Sequence, residues 1–255
     1  MKVIKYISVF AVSLLVCGFL LGFAMNRSSE ARCEGVDITV LGDPTVRFVT
    51  QQSLTEFIHL HGHTFNGERM KDIDTYGIEV DINSIPFVDR VVVYKTIDRR
   101  VSIAVEQRIP VLRIFFEDGF SNYVDSEARI MELSDSYSYK CLPVTGLKPL
   151  EPNTSVIEKS NSDLELYTLW QMANFIASDE FWNAQIIQVD IDEKKGAVLI
   201  PRVGNHEIIL GSTKDYNVKL RKLKEFYDKG IKQTNWNIYH SLDLRYEGQV
   251  VAVKR

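Results

Sequence analysis

Residues 85–111 read IPFVDRVVVYKTIDRRVSIAVEQRIPV, and this stretch decides the fold of the N-terminal half of the chain. Its valine-rich part, residues 87–94, has the composition of a β-strand. After a polar turn, residues 101–105 alternate β-branched side chains with smaller or polar ones, which is typical of a half-buried strand. Pro110 ends this run because proline has no N–H to donate to a sheet. The stretch therefore predicts two successive strands.

A strand and two helices are predicted before these two strands. Residues 36–41 alternate loosely between apolar and polar side chains, which indicates a strand. Thr50 or Ser53 is suited to cap a short helix, and Pro86 stops a second helical stretch. The apolar positions are Leu54, Phe57 and Ile58 in the first helix and Ile73, Tyr76, Val80 and Ile85 in the second. The predicted order is strand, helix, helix, strand, strand.

An uncharged apolar run occupies residues 6–25. A helix needs about 20 such residues to cross the hydrocarbon core of a bilayer. The run therefore predicts a single transmembrane helix over residues 6–26, after a short cytoplasmic tail over residues 1–5. The lysines and the α-amino group before the run favour a cytoplasmic N-terminus and an exported body. Gly18 and Gly22 have the small-xxx-small spacing that lets two membrane helices approach closely, so they are candidates for a helix contact.

Two other fates of this segment stay open, a cleaved secretory signal and a lipoprotein signal. A secretory signal has a shorter apolar core that ends in small residues, whereas this run ends with FAMNR at residues 23–27. Cys17 suggests lipidation, but Val16 stands where a small residue is expected. We therefore favour an uncleaved anchor. Beyond it, Cys33 and Cys141 are either a disulfide pair or two free thiols.

The balance of charge argues against a nucleic-acid partner. The chain has 30 Lys and Arg residues against 34 Asp and Glu residues. Without Lys2 and Lys5, which precede the apolar run, 28 basic residues face 34 acidic ones, so the body carries about −6. Such a body lacks the basic surface that binds a phosphate backbone.

The sequence contains no motif of a known catalytic centre. Gly-x-Ser-x-Gly, Ser-x-x-Lys, a phosphate-binding glycine loop and His-Glu-x-x-His are all missing. His59, His61 and His63 alternate around Gly62 without a nearby cysteine, which departs from the i, i+4 spacing of zinc ligands on a helix. We therefore predict no catalytic residue, no metal site, no cofactor and no small-molecule substrate.

The C-terminal residues have a clear strand pattern. Apolar and polar side chains alternate over residues 238–246, and Leu242 and Leu244 are predicted to be core residues. Glu247 and Gly248 form a tight turn into a second strand, residues 249–253. The chain is therefore predicted to end in a hairpin.

Several of these motifs resemble the FtsQ/DivIB family of bacterial division proteins. Residues 86–88 and 105–111 are similar to the motifs at the strand boundaries of its POTRA domain. Ala128 stands where glycine is usual in the next motif. The motifs of the following domain are similar to residues 123–130, 142–146, 210–211 and 242–246.

The resemblance implies an α+β fold after the single N-terminal transmembrane helix. A linker over residues 27–35 would lead to a POTRA-like domain over residues 36–106. Residues 107–255 would form the β domain, which is a mixed α/β structure with a largely antiparallel sheet and a C-terminal edge hairpin. The segment from 151 to 180 fits the family pattern poorly.

The resemblance also implies a non-catalytic scaffold of the division machinery at the septum, anchored in the inner membrane with its body in the periplasm. Such a scaffold binds the coiled-coil proteins FtsB and FtsL and helps regulate peptidoglycan synthesis. Addition of a partner strand to a sheet edge is the physical means that we expect. The predicted partner-binding residues are Arg245, Tyr246, Gln249, Val250, Val251, Ala252 and Val253. The alternative for Arg245 is a surface ion pair with Asp243, which would contribute about 0–1 kcal/mol. The POTRA-like domain is a candidate contact for other divisome proteins.

Two other classes of function are weighed against this one. A POTRA-type module for envelope transport or assembly would precede a β-barrel of many strands of about 10 residues each, for which too little chain remains. A membrane-anchored envelope enzyme would need the nucleophile or metal motifs that the sequence lacks.

Overall fold

The computed structural model describes residues 13–18, 31–151, 154–159, 164–230 and 236–255. Residues 13–18 are helical, and Gly18 is the last of them. Within these ranges, no helix has both the length and the apolar character needed to cross a membrane. Most of the predicted transmembrane segment, residues 6–26, and Gly22 with it, lie outside the described residues.

The chain divides into two compact units between Gln107 and Arg108. The described part of the first unit has the predicted order of elements. They are β1 (Gly35–Leu41), α1 (Gln51–Leu60), α2 (Thr75–Asn83), β2 (Val88–Lys95) and β3 (Arg100–Gln107). The sheet order is β1-β3-β2, in which β3 runs parallel to β1 and antiparallel to β2.

The helices of the first unit bury one face against this sheet. Thr50 caps α1 by accepting the Ser53 N–H at 3.1 Å, and the Ser53 side chain completes the capping box. In α2, Ile78 and Ile82 are buried, while Tyr76 and Val80 are exposed. Two of the four apolar residues noted in this stretch therefore do not contribute to the core. The helix begins at Thr75, so Ile73 lies before it and does not set the phase of the helical face.

The described residues of the second unit form one nine-stranded sheet with three α-helices. The strands are β4 (Pro110–Phe116), β5 (Ser121–Asp125), β6 (Ile130–Met131), β7 (Leu142–Leu147), β8 (Ile186–Asp192), β9 (Gly196–Pro201), β10 (Glu207–Gly211), β11 (Tyr239–Asp243) and β12 (Val251–Lys254). The helices are α3 (Leu164–Ser178), α4 (Glu180–Gln185) and α5 (Tyr216–Lys229), and a 3₁₀ turn covers Trp236–Ile238.

The sheet order is β12-β11-β10-β9-β8-β7-β4-β5-β6. Five of the eight neighbouring pairs are antiparallel. The three parallel pairs are β10 with β11, β7 with β8 and β4 with β7. The prediction of an α+β fold is confirmed, and the sheet is mixed with a majority of antiparallel pairs.

One face of this sheet packs on α3 and α5 to form the core. Successive side chains of a strand point to opposite faces. Leu112 and Ile114 of β4 therefore share the core side with Leu199 of β9, and all three are fully buried. Leu169 of α3 and Leu220 of α5 complete this core from the helical side.

The tight turn between β5 and β6 explains how the chain tolerates Ala128 at a glycine position. Ala128 has a φ of 64°, in the left-handed region that disfavours residues with a Cβ. Asp125 is fully buried and accepts N–H groups of Glu127 at 2.8 Å and Arg129 at 2.9 Å. The Trp170 indole N–H donates to the Asp125 carbonyl at 2.9 Å. These bonds hold the turn in place despite the strained residue.

Gly146, the glycine of the motif over residues 142–146, is required for a different reason. Gly146, at the end of β7, has a φ of 78°. A Cβ at this position would overlap the carbonyl oxygen of Ile191 in β8. The close approach of these two strands therefore requires glycine.

We expect Gly146→Ala to lower the free energy of unfolding by about 3 kcal/mol, because backbone strain adds to steric overlap. Gly119→Ala is the matched control, since Gly119 has a φ of 89° but no atom within 4 Å of an added Cβ. It should cost about 1–2 kcal/mol. Urea denaturation of both variants measures the difference. Equal losses would show that the contact with Ile191 does not require glycine.

Candidate partner-binding edge

The strand β12 is an edge of the nine-stranded sheet and pairs only with β11 among the described residues. The pairing is antiparallel, with Val253 opposite Ser241, Ala252 opposite Leu242 and Val251 opposite Asp243. A shift in register between Tyr239 and Ser241 marks a bulge in β11. The other side of β12 faces no strand of the described chain.

The register determines which backbone groups point to the free side of β12. The N–H of Arg255 donates to the Ile238 carbonyl at 3.0 Å, so Arg255 faces β11. Alternate residues of a strand direct their N–H and C=O groups to opposite sides. Val253 and Val251 therefore bond to β11, and the backbone groups of Ala252 and Lys254 point outward.

The side chains of β12 provide two different faces. Ala252 packs against the core, on the same side as the helices. Val251 and Val253 point to the opposite face and remain 37% and 48% exposed. A strand placed beside β12 would therefore meet unpaired backbone groups along its edge and two apolar side chains on one face.

Arg245 lies just after β11 and is held by Asp243. Its guanidinium Nη2 donates to Asp243 Oδ2 at 2.6 Å, and Nε donates to Oδ1 at 3.0 Å. Burial opposes ionisation of Asp243, but the hydrogen bonds from Arg245 outweigh it and lower the pKa of this carboxyl. Gly211 makes room for the arginine stem, because Arg245 Cγ lies only 2.7 Å from where a Cβ would be.

The remaining predicted residues lie in the connection between β11 and β12. Tyr246 is half exposed, and its carbonyl accepts a hydrogen bond from Lys222 of α5 at 2.5 Å. Gln249 and Val250 precede the first residue of β12. The structure thus brings Val251, Ala252 and Val253 together on one edge and places the other four beside it. Lys222 and Gly211 also support this edge and were not predicted, whereas the pair of Asp243 with Arg245 was an alternative that the sequence suggested.

The other polar groups that the sequence singled out lie elsewhere. His63 Nε2 is 2.7 Å from Asp81 Oδ2, and the ring of His61 stacks on Phe57. In the described ranges, no group of three or more potential ligands is placed to hold a metal ion. Cys33 and Cys141 are both free thiols.

Two family models match the chain. A POTRA-like domain model matches residues 31–106, and a model described as FtsQ/DivIB, C-terminal related, matches residues 109–253. The second match covers more than half of the chain and ends within β12. This chain belongs to the FtsQ/DivIB family. A comparison with curated proteins found no match.

Membership of the FtsQ/DivIB family indicates a scaffold role in cell division. Proteins of this family are generally non-catalytic division proteins, and the family implies a membrane-anchored protein of the septum. The resemblance inferred from the short motifs is therefore confirmed.

We expect Asp243→Asn to lower the free energy of unfolding by about 1–3 kcal/mol at pH 7, because Arg245 loses its ionised partner. A carboxyl with a lowered folded pKa contributes stability above its unfolded pKa of about 3.9 and loses that contribution as the pH falls. The difference between wild type and variant should therefore close below about pH 4.

Urea unfolding between pH 7 and pH 3 measures this difference. Glu247→Gln removes the same charge from an exposed carboxyl and serves as the control. A difference for Asp243→Asn that stays constant across the range would contradict the role of the ionised pair.

Proposed function

We propose that this FtsQ/DivIB protein binds FtsB- and FtsL-type coiled-coil proteins by adding a partner strand to β12. The observation that carries this proposal is the free side of β12, where the N–H and C=O groups of Ala252 and Lys254 have no strand beside them in the described chain. A partner strand would satisfy these groups and cover Val251 and Val253. Main-chain bonds supply affinity in such complexes, and alternate side chains supply specificity.

In this complex, Arg245 would have fewer N–H groups available to a partner than an unpaired arginine has. Asp243 occupies Nε and Nη2, whereas Nη1 donates no hydrogen bond within the described residues. The side chain is 43% exposed. Arg245 would therefore offer the two N–H groups of Nη1 to an acidic residue of the partner. Tyr246, Gln249 and Val250 would border the added strand at the start of β12.

We also propose the topology that the family implies. Residues 6–26 would form a single inner-membrane anchor with a cytoplasmic N-terminus, and Gly18 and Gly22 would lie on a helix-contact face. The body would lie in the periplasm at the septum, where binding of FtsB and FtsL would help regulate peptidoglycan synthesis. The POTRA-like unit would contact other divisome proteins. Family membership and the apolar N-terminal run support this topology.

A proline at Ala252 tests strand addition with little effect on the fold. Proline removes the N–H on the free side and places its ring there, while the bonds of Val251 and Val253 to β11 remain. Deletion of β12 would be less informative, because β11 would then become a new exposed edge. We expect Ala252→Pro to weaken binding of an FtsB/FtsL pair by at least about tenfold.

Ala252→Ser is the matched control, because it keeps the N–H and changes the side chain only modestly. It should bind as wild type does. Co-purification and titration of the detergent-solubilised full chain measure both variants, and circular dichroism checks that each is folded. Wild-type affinity in a folded Ala252→Pro variant would rule out addition of a strand to β12.

A further inference from the structure

Arg113 of β4 lies on the sheet face that points away from the helices. Its neighbours along the strand, Leu112 and Ile114, are buried in the core, so Arg113 points to the opposite side. The register places Tyr123 of β5 and Pro143 of β7 directly beside it. This position is six strands from β12, or about 29 Å along the sheet.

Two aromatic rings fix the guanidinium of Arg113. Its central carbon lies 4.7 Å from the centre of the Phe115 ring and 5.3 Å from that of the Tyr123 ring. Tyr123 is buried and is itself held, because the N–H of Tyr139 donates to its hydroxyl at 3.1 Å. Phe115 is 37% exposed, so one wall of this clamp faces solvent. The arginine is therefore oriented before any ligand arrives.

No carboxylate neutralises Arg113 among the described residues. Arg129 and Arg245 each pair with an aspartate within 3 Å, whereas the partners of Arg113 are the hydroxyls of Ser121 at 3.0 Å and Ser138 at 3.4 Å. Its Nε is buried and has no hydrogen-bond partner in the described chain. A half-buried charge without a counter-ion is costly unless an anion arrives to pair with it.

The nearby thiol does not serve as that anion. Burial raises the pKa of Cys141 to about 12, although the charge of Arg113 acts in the opposite direction. At neutral pH the thiol is therefore uncharged. The charge of Arg113 remains available to a ligand.

The groups around Arg113 are suited to a carboxylate. Ser121 accepts a hydrogen bond from the guanidinium, so its hydroxyl keeps its own hydrogen to donate. Ser138 also accepts from the guanidinium, and it shares a second hydrogen bond with the Tyr123 hydroxyl at 3.2 Å. A carboxylate held by an arginine and flanking hydroxyls makes the strong, charge-assisted type of hydrogen bond. The exposed ring of Phe115 next to this site favours a ligand that also carries an apolar side chain.

We propose that Arg113, Phe115, Ser121 and Ser138 form a second docking point, which binds an acidic residue of a partner polypeptide beside an apolar one. Because the positive charge of Arg113 has no counter-ion, the site favours an acidic partner. The arginine is held by two aromatic rings, and rigid arginines of this kind often contribute most of the binding energy of a protein interface. The site is separate from β12, so it does not depend on strand addition.

The test uses NMR detection of arginine Nε–H signals in the full chain in neutral detergent. The probe is a synthetic peptide, Gly-Glu-Glu-Phe-Glu-Glu-Gly, and the comparison ligands are its all-glutamine counterpart and inorganic phosphate. We expect the glutamate peptide to shift the Arg113 signal and to bind at least about tenfold more tightly than either comparison ligand. Arg113→Gln should weaken binding at least about tenfold, whereas Arg221→Gln, which removes an exposed charge from α5, should leave it unchanged.

If Arg113→Gln does not fold, the double variant Ser121→Ala/Ser138→Ala keeps the charge and removes the hydroxyls. This double variant should bind the glutamate peptide several-fold more weakly and should retain FtsB- and FtsL-type proteins as wild type does. The proposal is overturned if phosphate binds as tightly as the peptide, if the two arginine variants weaken binding equally, or if the Arg113 signal does not respond.

Discussion

The free side of β12 is the constraint on which the proposed function of this protein depends. Backbone N–H and C=O groups require partners, and an edge strand presents a row of them to any chain that approaches. From β11 to β5, every strand of the large sheet has a neighbour on both sides. The opposite edge, β6, is only two residues long and offers little to a partner. β12 is therefore the edge of this sheet at which another chain can continue the hydrogen-bond ladder.

The rest of the second unit holds this edge in one register. Ala252 packs on the core, and Lys222 of α5 ties the chain after β11 through the carbonyls of Leu244 at 3.0 Å and Tyr246. The pairing of Asp243 with Arg245 fixes the backbone at the point where the chain leaves the sheet. The proposed binding edge is therefore presented by a rigid sheet and not by a loop, which would lower the entropy cost of adding a partner strand.

Local patterns in the sequence predicted a large part of this fold. The order of elements in the first unit follows from strand composition and helix caps, and the burial of Leu242 and Leu244 follows from alternation. The parallel pairs of the sheet were not assigned from the sequence, although the succession of β10, α5 and β11 is of the kind that favours parallel pairing. For Arg245, the sequence suggested both a contact with a partner and an ion pair with Asp243. The structure contains this pair, in which the guanidinium of Arg245 donates to both carboxylate oxygens of Asp243.

Amide hydrogen exchange in β12 tests strand addition most directly, because it reports on the individual N–H groups. In the free protein, the N–H groups of Ala252 and Lys254 should exchange rapidly, while those of Val251 and Val253, bonded to β11, should be protected. Addition of an FtsB- and FtsL-type complex should slow exchange at Ala252 and Lys254 and leave the other two protected. Protection of Ala252 and Lys254 before the partner is added, or unchanged exchange in a complex that has formed, would contradict strand addition to β12.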